Sequence, residues 1–172
     1  MIDCWIPELR ICDDLAKYSS YVEDIYAIFK RDFIDSSPVF NNAIVDIRRT
    51  PYDQGKEDGF WHITCKDYKT GGPRNTDLRR CERIEWIRAI IENYNCNSYC
   101  NDCDGVLAWI EPYKGSYRIH FLLVDERYLV IIEPRKTYYV LVTAFYIDEN
   151  SEPYFRKQLN QYEKYQKLNN AP

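Results

Sequence analysis

Tyr117-Arg118-Ile119-His120-Phe121-Leu122-Leu123-Val124 is followed by the acidic pair Asp125-Glu126 and then by Tyr128-Leu129-Val130-Ile131-Ile132-Glu133. Two runs rich in branched and aromatic side chains, parted by a turn signal, read as neighbouring antiparallel strands. On the N-terminal side, Val106 to Ile110 precedes them across Pro112 to Gly115; on the C-terminal side, Tyr138 to Ile147 follows across Pro134 to Lys136. Connections this short exclude crossovers, so the four runs form a meander. Alternation along Tyr117 to Leu123 sets Arg118 and His120 on one face and Ile119, Phe121 and Leu123 on the other.

Upstream the period changes. Between Ser19 and Phe33, Val22, Ile25, Tyr26, Phe29 and Phe33 recur at intervals of three and four, which predicts a helix stopped by Asp35-Ser36-Ser37-Pro38. Ala43 to Ile47 reads as a short strand, and Phe60-Trp61-His62-Ile63-Thr64 as another with Phe60, His62 and Thr64 on one face. Lys69 to Asn75, with Gly71-Gly72-Pro73, reads as a mobile loop. Leu78 to Tyr94 is predicted as a helix whose stripe is Leu78, Ile84, Ile87, Ile91 and Tyr94 and whose other face carries Arg79, Arg80, Arg83 and Arg88. Tyr154 to Leu168 is a terminal helix facing inward through Phe155, Leu159, Tyr162 and Tyr165. The predicted fold is α+β: N-terminal helices packed on an antiparallel sheet of about four to five strands, with a C-terminal helix. It forms a single domain over 1–172, with a helical segment over 1–40 and the α+β core over 41–172.

The 172-residue length suits one core. With 16 Tyr, 7 Phe and 4 Trp the chain has ample area to bury, which argues against disorder. A net charge of −4 excludes a strongly basic nucleic-acid binder, so any anion site is a local patch. Met1 to Glu8 lacks the pattern of a signal peptide and no run matches a membrane span, so a cytoplasmic protein with reduced thiols is expected.

There are two histidines. His62 shares its predicted face with Thr64, precedes Lys66 and the glycine loop, and lies upstream of the arginine-bearing helix. An imidazole near neutrality can transfer protons, and guanidinium groups offer a planar fork to phosphate. Arg80 and Arg83 are three apart, so both can converge. The plain alternative for His62 is a half-buried strand residue, and for the arginines a solvated helix face. His120 with Arg118 is a second candidate pair, and Thr143 is a lone hydroxyl in an apolar run that needs a partner if buried. Seven cysteines are present; Cys96, Cys100 and Cys103, with Cys81 or Cys65 as a fourth thiolate, form an alternative zinc site, but only one close pair has zinc-ligand spacing.

The order of Phe60-Trp61-His62-Ile63-Thr64, Arg80-Cys81-Glu82-Arg83-Ile84-Glu85-Trp86-Ile87 and Tyr138-Tyr139-Val140-Leu141-Val142-Thr143-Ala144-Phe145-Tyr146 resembles the phage-associated nuclease-like domains of the barnase, EndoU, colicin and RelE superfamily. The similarity spans roughly Phe60 to Tyr165. It implies a toxin-like or phage-associated endoribonuclease that cleaves RNA without a bound metal, with His62, Thr64, Arg80, Arg83 and Thr143 lining the site. His62 would move a proton, Arg80 and Arg83 would stabilise the phosphate, and Thr64 and Thr143 would position it. Lys66, Arg118 and His120 would add substrate contacts and Trp86 would stack a base. RNA is the implied partner, with a protein partner or antitoxin beside it, and no cofactor is called for. The cysteine loop departs from the pattern. The competing reading is a non-catalytic RNA- or protein-binding module on the same scaffold, stapled by zinc through that loop.

Overall fold

The computed structural model describes residues 4–96 and 105–170. After an N-terminal arm, Asp14 caps a short 3-10 turn by accepting from the Ala16 amide at 2.9 Å. Helix α1 (Tyr18–Phe29) follows, burying Tyr21, Ile25 and Phe29 at intervals of four. It runs into a wider turn over Lys30–Ile34 that also buries Phe33. Strands β1 (Val39–Phe40) and β2 (Ala43–Asp46) form a hairpin. A second small hairpin, β3 (Tyr52–Asp53) with β4 (Lys56–Glu57), turns through Gln54 and Gly55, both at positive φ.

Phe60 to Thr64, expected as a strand, belongs to helix α2 (Asp58–Thr64). Nearly every residue of this helix is buried, so its apolar run has no polar face from which a period could be read. The chain then forms β5 (Cys65–Lys66), a loop, and β6 (Asn75–Thr76), which pairs back onto β5. The glycine loop read as mobile is tied to its surroundings at two points: Thr70 bonds Asp58, while Arg74 stacks on Trp61 at 4.4 Å and pairs with Asp53.

The arginine helix is two helices, α3 (Leu78–Glu82) and α4 (Ile84–Asn93), broken at Arg83 with φ −106° and ψ 19°. Asp77 caps α3 through the Arg79 and Arg80 amides. The expected apolar stripe skips from Leu78 to Ile84, and the break falls in that gap. It lets Ile84, Ile87 and Ile91 turn fully into the core.

The meander is present as β7 (Val106–Tyr113), β8 (Ser116–Leu123), β9 (Tyr128–Pro134) and β10 (Tyr139–Tyr146), followed by α5 (Glu152–Asn169). Among the described residues the main sheet has six strands in the order β1-β2-β10-β9-β8-β7, more than expected. One junction is parallel: β2 joins β10 through Tyr139↔Val45 and Val140↔Asp46 alone. Helices α1 to α4 pack on the face carrying Ile119, Phe121, Val130 and Ile132. On the other face, α5 lays Phe155, Leu159, Tyr162 and Tyr165 against Trp109, Leu122, Leu129 and Ile131. Hydrophobic burial on both faces gives a three-layer α/sheet/α arrangement. No helix among the described residues is long and apolar enough to cross a membrane.

Candidate functional site

Helix α5 covers only part of its sheet face. The remainder, carrying Arg118 and Glu133, opens into a cleft of about 600 Å³ whose lining includes Arg48, Gly59, His62, Tyr113, Arg118, Glu133, Arg135, Tyr138 and Thr143. Three local features build it. Gly59 lets α2 lie against the segment after β2: its amide donates to the Arg48 carbonyl at 2.7 Å, and a Cβ there would stand 3.0 Å from that oxygen. The register shift between Leu141 and Thr143 is the second. Leu141 and Ala144, three apart, face the same helix-covered core, so the irregularity turns Thr143 away from that core and toward the cleft. The third is the Pro134 to Tyr138 turn, which brings Arg135 and Tyr138 to the rim.

Arg48, Arg118 and Arg135 are the cleft cations. Arg118 lies 3.4 Å from the centroid of the Tyr113 ring and donates to Glu133 at 2.9 Å, while Arg135 donates to the other Glu133 oxygen at 2.5 Å. Desolvation acts to raise the Glu133 pKa, but the hydrogen bonds from Arg135 and Arg118 outweigh it and hold the carboxyl below its usual range.

The His62 side chain is 28% exposed. Its Nε2 is buried 3.3 Å from Asp58 Oδ2, close enough for charge attraction yet off the line of a hydrogen bond. Such contacts often tighten only when substrate is bound. Desolvation is the main reason its pKa falls below the ordinary imidazole value; Asp58 works against the shift, while Arg48 and Arg80 add to it. The ring is therefore mostly neutral near pH 7, the state in which it can accept a proton.

The other expected site residues are dispersed. Arg80 donates to the His62 carbonyl at 3.3 Å, bracing the end of α2, and lies over Phe145. Arg83 is buried, bonds the Arg79 carbonyl, and stacks on Trp86 and Tyr146. Neither lines the His62 cleft, so the shared hollow expected for His62, Arg80 and Arg83 does not form. The break at Arg83 and the aromatic wall of β10 direct the two guanidinium groups elsewhere. Arg80 and Lys66 instead line a second cavity of about 460 Å³ with Arg79, Asp67, Asp77 and Asp148. There Arg79 pairs with Asp148 at 2.9 Å and Arg80 sits 3.6 Å from Asp77, so cations are matched by acids.

Thr64 is buried and donates to the Phe60 carbonyl at 2.8 Å, a bond within α2 that faces no cleft. Trp86 is buried and donates to the Pro7 carbonyl, which removes it as a base-stacking surface. His120 does lie on the Arg118 face, but it is buried, with its ring stacked on Trp109 at 5.1 Å in the layer that α5 covers. Cys81 is buried with its thiol aimed at the Thr64 carbonyl, and Cys65 is buried beside Thr64. Cys96 is half-buried; Cys100 and Cys103 lie outside the described residues. Among the described residues, no three His, Cys, Asp or Glu side chains gather where they could hold a metal.

The sequence reading did not select Arg48, Asp58, Glu133, Arg135 or Tyr138. Asp58 had a legible signal, since it stands four residues before His62 and shares its face once the segment is helical. Chain order gave no hint of Arg48 and Arg135, which converge through the parallel β2–β10 junction. No protein-family model, curated protein or solved structure matches this chain, so the cleft is interpreted from its own chemistry.

Proposed function

We propose that the protein is a metal-independent endoribonuclease whose site is the His62 cleft, with Arg48, Arg118 and Arg135 in the phosphate-binding role first assigned to Arg80 and Arg83. The observation that carries this reading is one neutral-leaning imidazole and three guanidinium groups on one solvent-reachable cleft. Arginine forks match phosphate oxygens, and preorganised donors stabilise the charge that grows on phosphorus. In the reaction, the ribose 2′-oxygen bonds to phosphorus and the bond from phosphorus to the 5′-oxygen breaks. His62 takes the 2′-hydroxyl proton, and solvent supplies a proton to the leaving oxygen. In this reading Thr143, which lines the cleft, positions a phosphate oxygen, and the ring of Tyr138 at the rim stacks on an unpaired base.

The superfamily resemblance implied this reaction type, but of the residues it implied as lining the site only His62 and Thr143 line the cleft, so the proposal rests on the cleft's own groups. A second reading, an RNA-binding module without catalysis, is favoured by Glu133, which already satisfies two of the three arginines. Cleavage of end-labelled single-stranded RNA in excess chelator separates the two. The unmodified protein should cleave, His62→Ala should lose at least about a hundredfold in rate, and binding should persist. Equal cleavage by both forms would reject the nuclease reading, while binding without cleavage would favour the module.

A further inference from the structure

We propose that Asp58 is the positioning residue of this cleft: its buried carboxylate holds the His62 ring with Nε2 inward, leaving Nδ1 as the proton-moving atom, and the Tyr68–Thr70 segment holds the carboxylate. The catalytic consequence rests on the nuclease reading; the ring geometry does not.

Asp58 has no exposed surface, and a buried carboxylate is costly unless its oxygens are satisfied. Thr70 Oγ1 lies 3.0 and 3.2 Å from its two oxygens, and the Tyr68 hydroxyl is 3.4 Å from Oδ1. Arg48 Nη1 and His62 Nε2 approach Oδ2 at 3.4 and 3.3 Å. These partners come from α2 itself, from the segment after β2 and from the loop between β5 and β6. One carboxylate thus fixes both a proton-transfer group and a cleft cation.

Tyr68 also meets the imidazole edge-on, with ring centroids 4.9 Å apart and planes at 84°. The ring is held between a carboxylate and an aromatic wall. The buried Nε2 makes no aligned hydrogen bond, and Asp58 Oδ2, 3.3 Å away, is the acceptor that a proton on Nε2 would reach with a small turn of the ring. When Nδ1 takes a proton, the resulting cation is stabilised by the same carboxylate, much as an aspartate orients and supports a catalytic histidine in other hydrolases. The charged or titratable groups near His62 are Asp58, Arg48, Tyr68 and Arg80.

The test is long-range nitrogen–proton NMR on ¹⁵N-histidine-labelled protein across pH. The chain has two histidines, so His120 serves as the internal control. The unmodified protein should show the neutral His62 ring protonated on Nε2. In Asp58→Asn the His62 midpoint should fall by on the order of one pH unit and the tautomers should mix, with His120 unchanged. Thr70→Val should move His62 in the same direction by less, and this variant carries the test if Asp58→Asn does not fold. An unchanged midpoint and tautomer in the folded variants would overturn the proposal. The expected ring response in a protein that cleaves no RNA would sink the nuclease reading and leave the positioning role intact.

Discussion

Replacing Arg118 by Met should weaken RNA binding in a salt-dependent way that replacing Arg80 does not. Arg118 is one of three guanidinium groups on the His62 cleft, whereas Arg80 bonds the back of α2 and faces the second cavity. Removing it leaves Glu133 still bonded to Arg135 at 2.5 Å, and Arg118 itself keeps 23% of its side chain exposed. The cost to folding should therefore stay at about 1 kcal/mol. Each phosphate neutralised on a single strand contributes about 0.7 to the slope of log K against log salt. Losing one contact should lower that slope by about 0.7, equivalent to about fourfold weaker binding at 0.15 M salt and about fifteenfold at 0.02 M. The assay is an equilibrium fluorescence titration of a labelled 2′-O-methyl oligoribonucleotide, whose blocked 2′-oxygen prevents turnover, at four salt concentrations. An unchanged slope for Arg118→Met together with a reduced slope for Arg80→Met would refute the assignment and move the phosphate to the second cavity.

Two further outcomes are expected. Burial depresses the pKa of His120, as it does that of His62, against the pull of Glu111 and with help from Arg118. Between the unfolded value near pH 6.5 and the lower native values, the unfolded chain binds protons that the native rings refuse. Their contribution to stability is thus fully present above that window and falls as pH drops through it. Urea midpoints at pH 7.5, 6.5 and 5.5 should decline, and more gently in His120→Phe; an identical decline in that variant would count against this account. The window lies above that of Glu85 and Glu133, whose lowered pKa values make their contributions fail only as pH falls below about 4.5. Separately, Gly59→Ala should force α2 away from Arg48, because the new Cβ would stand 3.0 Å from a backbone oxygen and 3.1 Å from Ile47 Cβ. RNA affinity should fall while the secondary-structure spectrum is kept, and unchanged affinity would mean that Arg48 does not depend on this approach.

The meander and terminal helix were legible because each strand or helix has one face in a core and a turn at its end. Tyr117 to Leu123 alternates as read, and Phe155, Leu159, Tyr162 and Tyr165 pack as expected. Exposure was harder to read. Arg118 and His120 do share a face, but α5 buries His120 and stops short of Arg118, and alternation says nothing about where a covering helix ends. Phe60 to Thr64 failed for a different reason: burial on all sides erased the period that distinguishes strand from helix. That error hid the Asp58–His62 pair, which needs helical spacing to be seen. One continuous helix would aim Arg80 and Arg83 from a single face, whereas the helix breaks at Arg83 and the two guanidinium groups lie over Phe145 and Tyr146 of β10, outside the His62 cleft.

The position of the cleft follows from where strand pairing stops. β2 accompanies β10 only through Tyr139 and Val140, and beyond them no described strand continues on that side. The chain fills the vacancy with α2, which can come close because Gly59 carries no Cβ. Where regular pairing ends, β10 shifts register, and that shift turns Thr143 out of the helix-covered core. The same junction brings Arg48, just past β2, toward Arg135, in the turn before β10, although the two are far apart in the chain. A longer β2–β10 ladder would cover the β10 edge against which α2 now packs. The irregular junction, at odds with the neat pairing of β7 to β9, is therefore the feature that makes a polar, solvent-reachable site compatible with an otherwise apolar sheet.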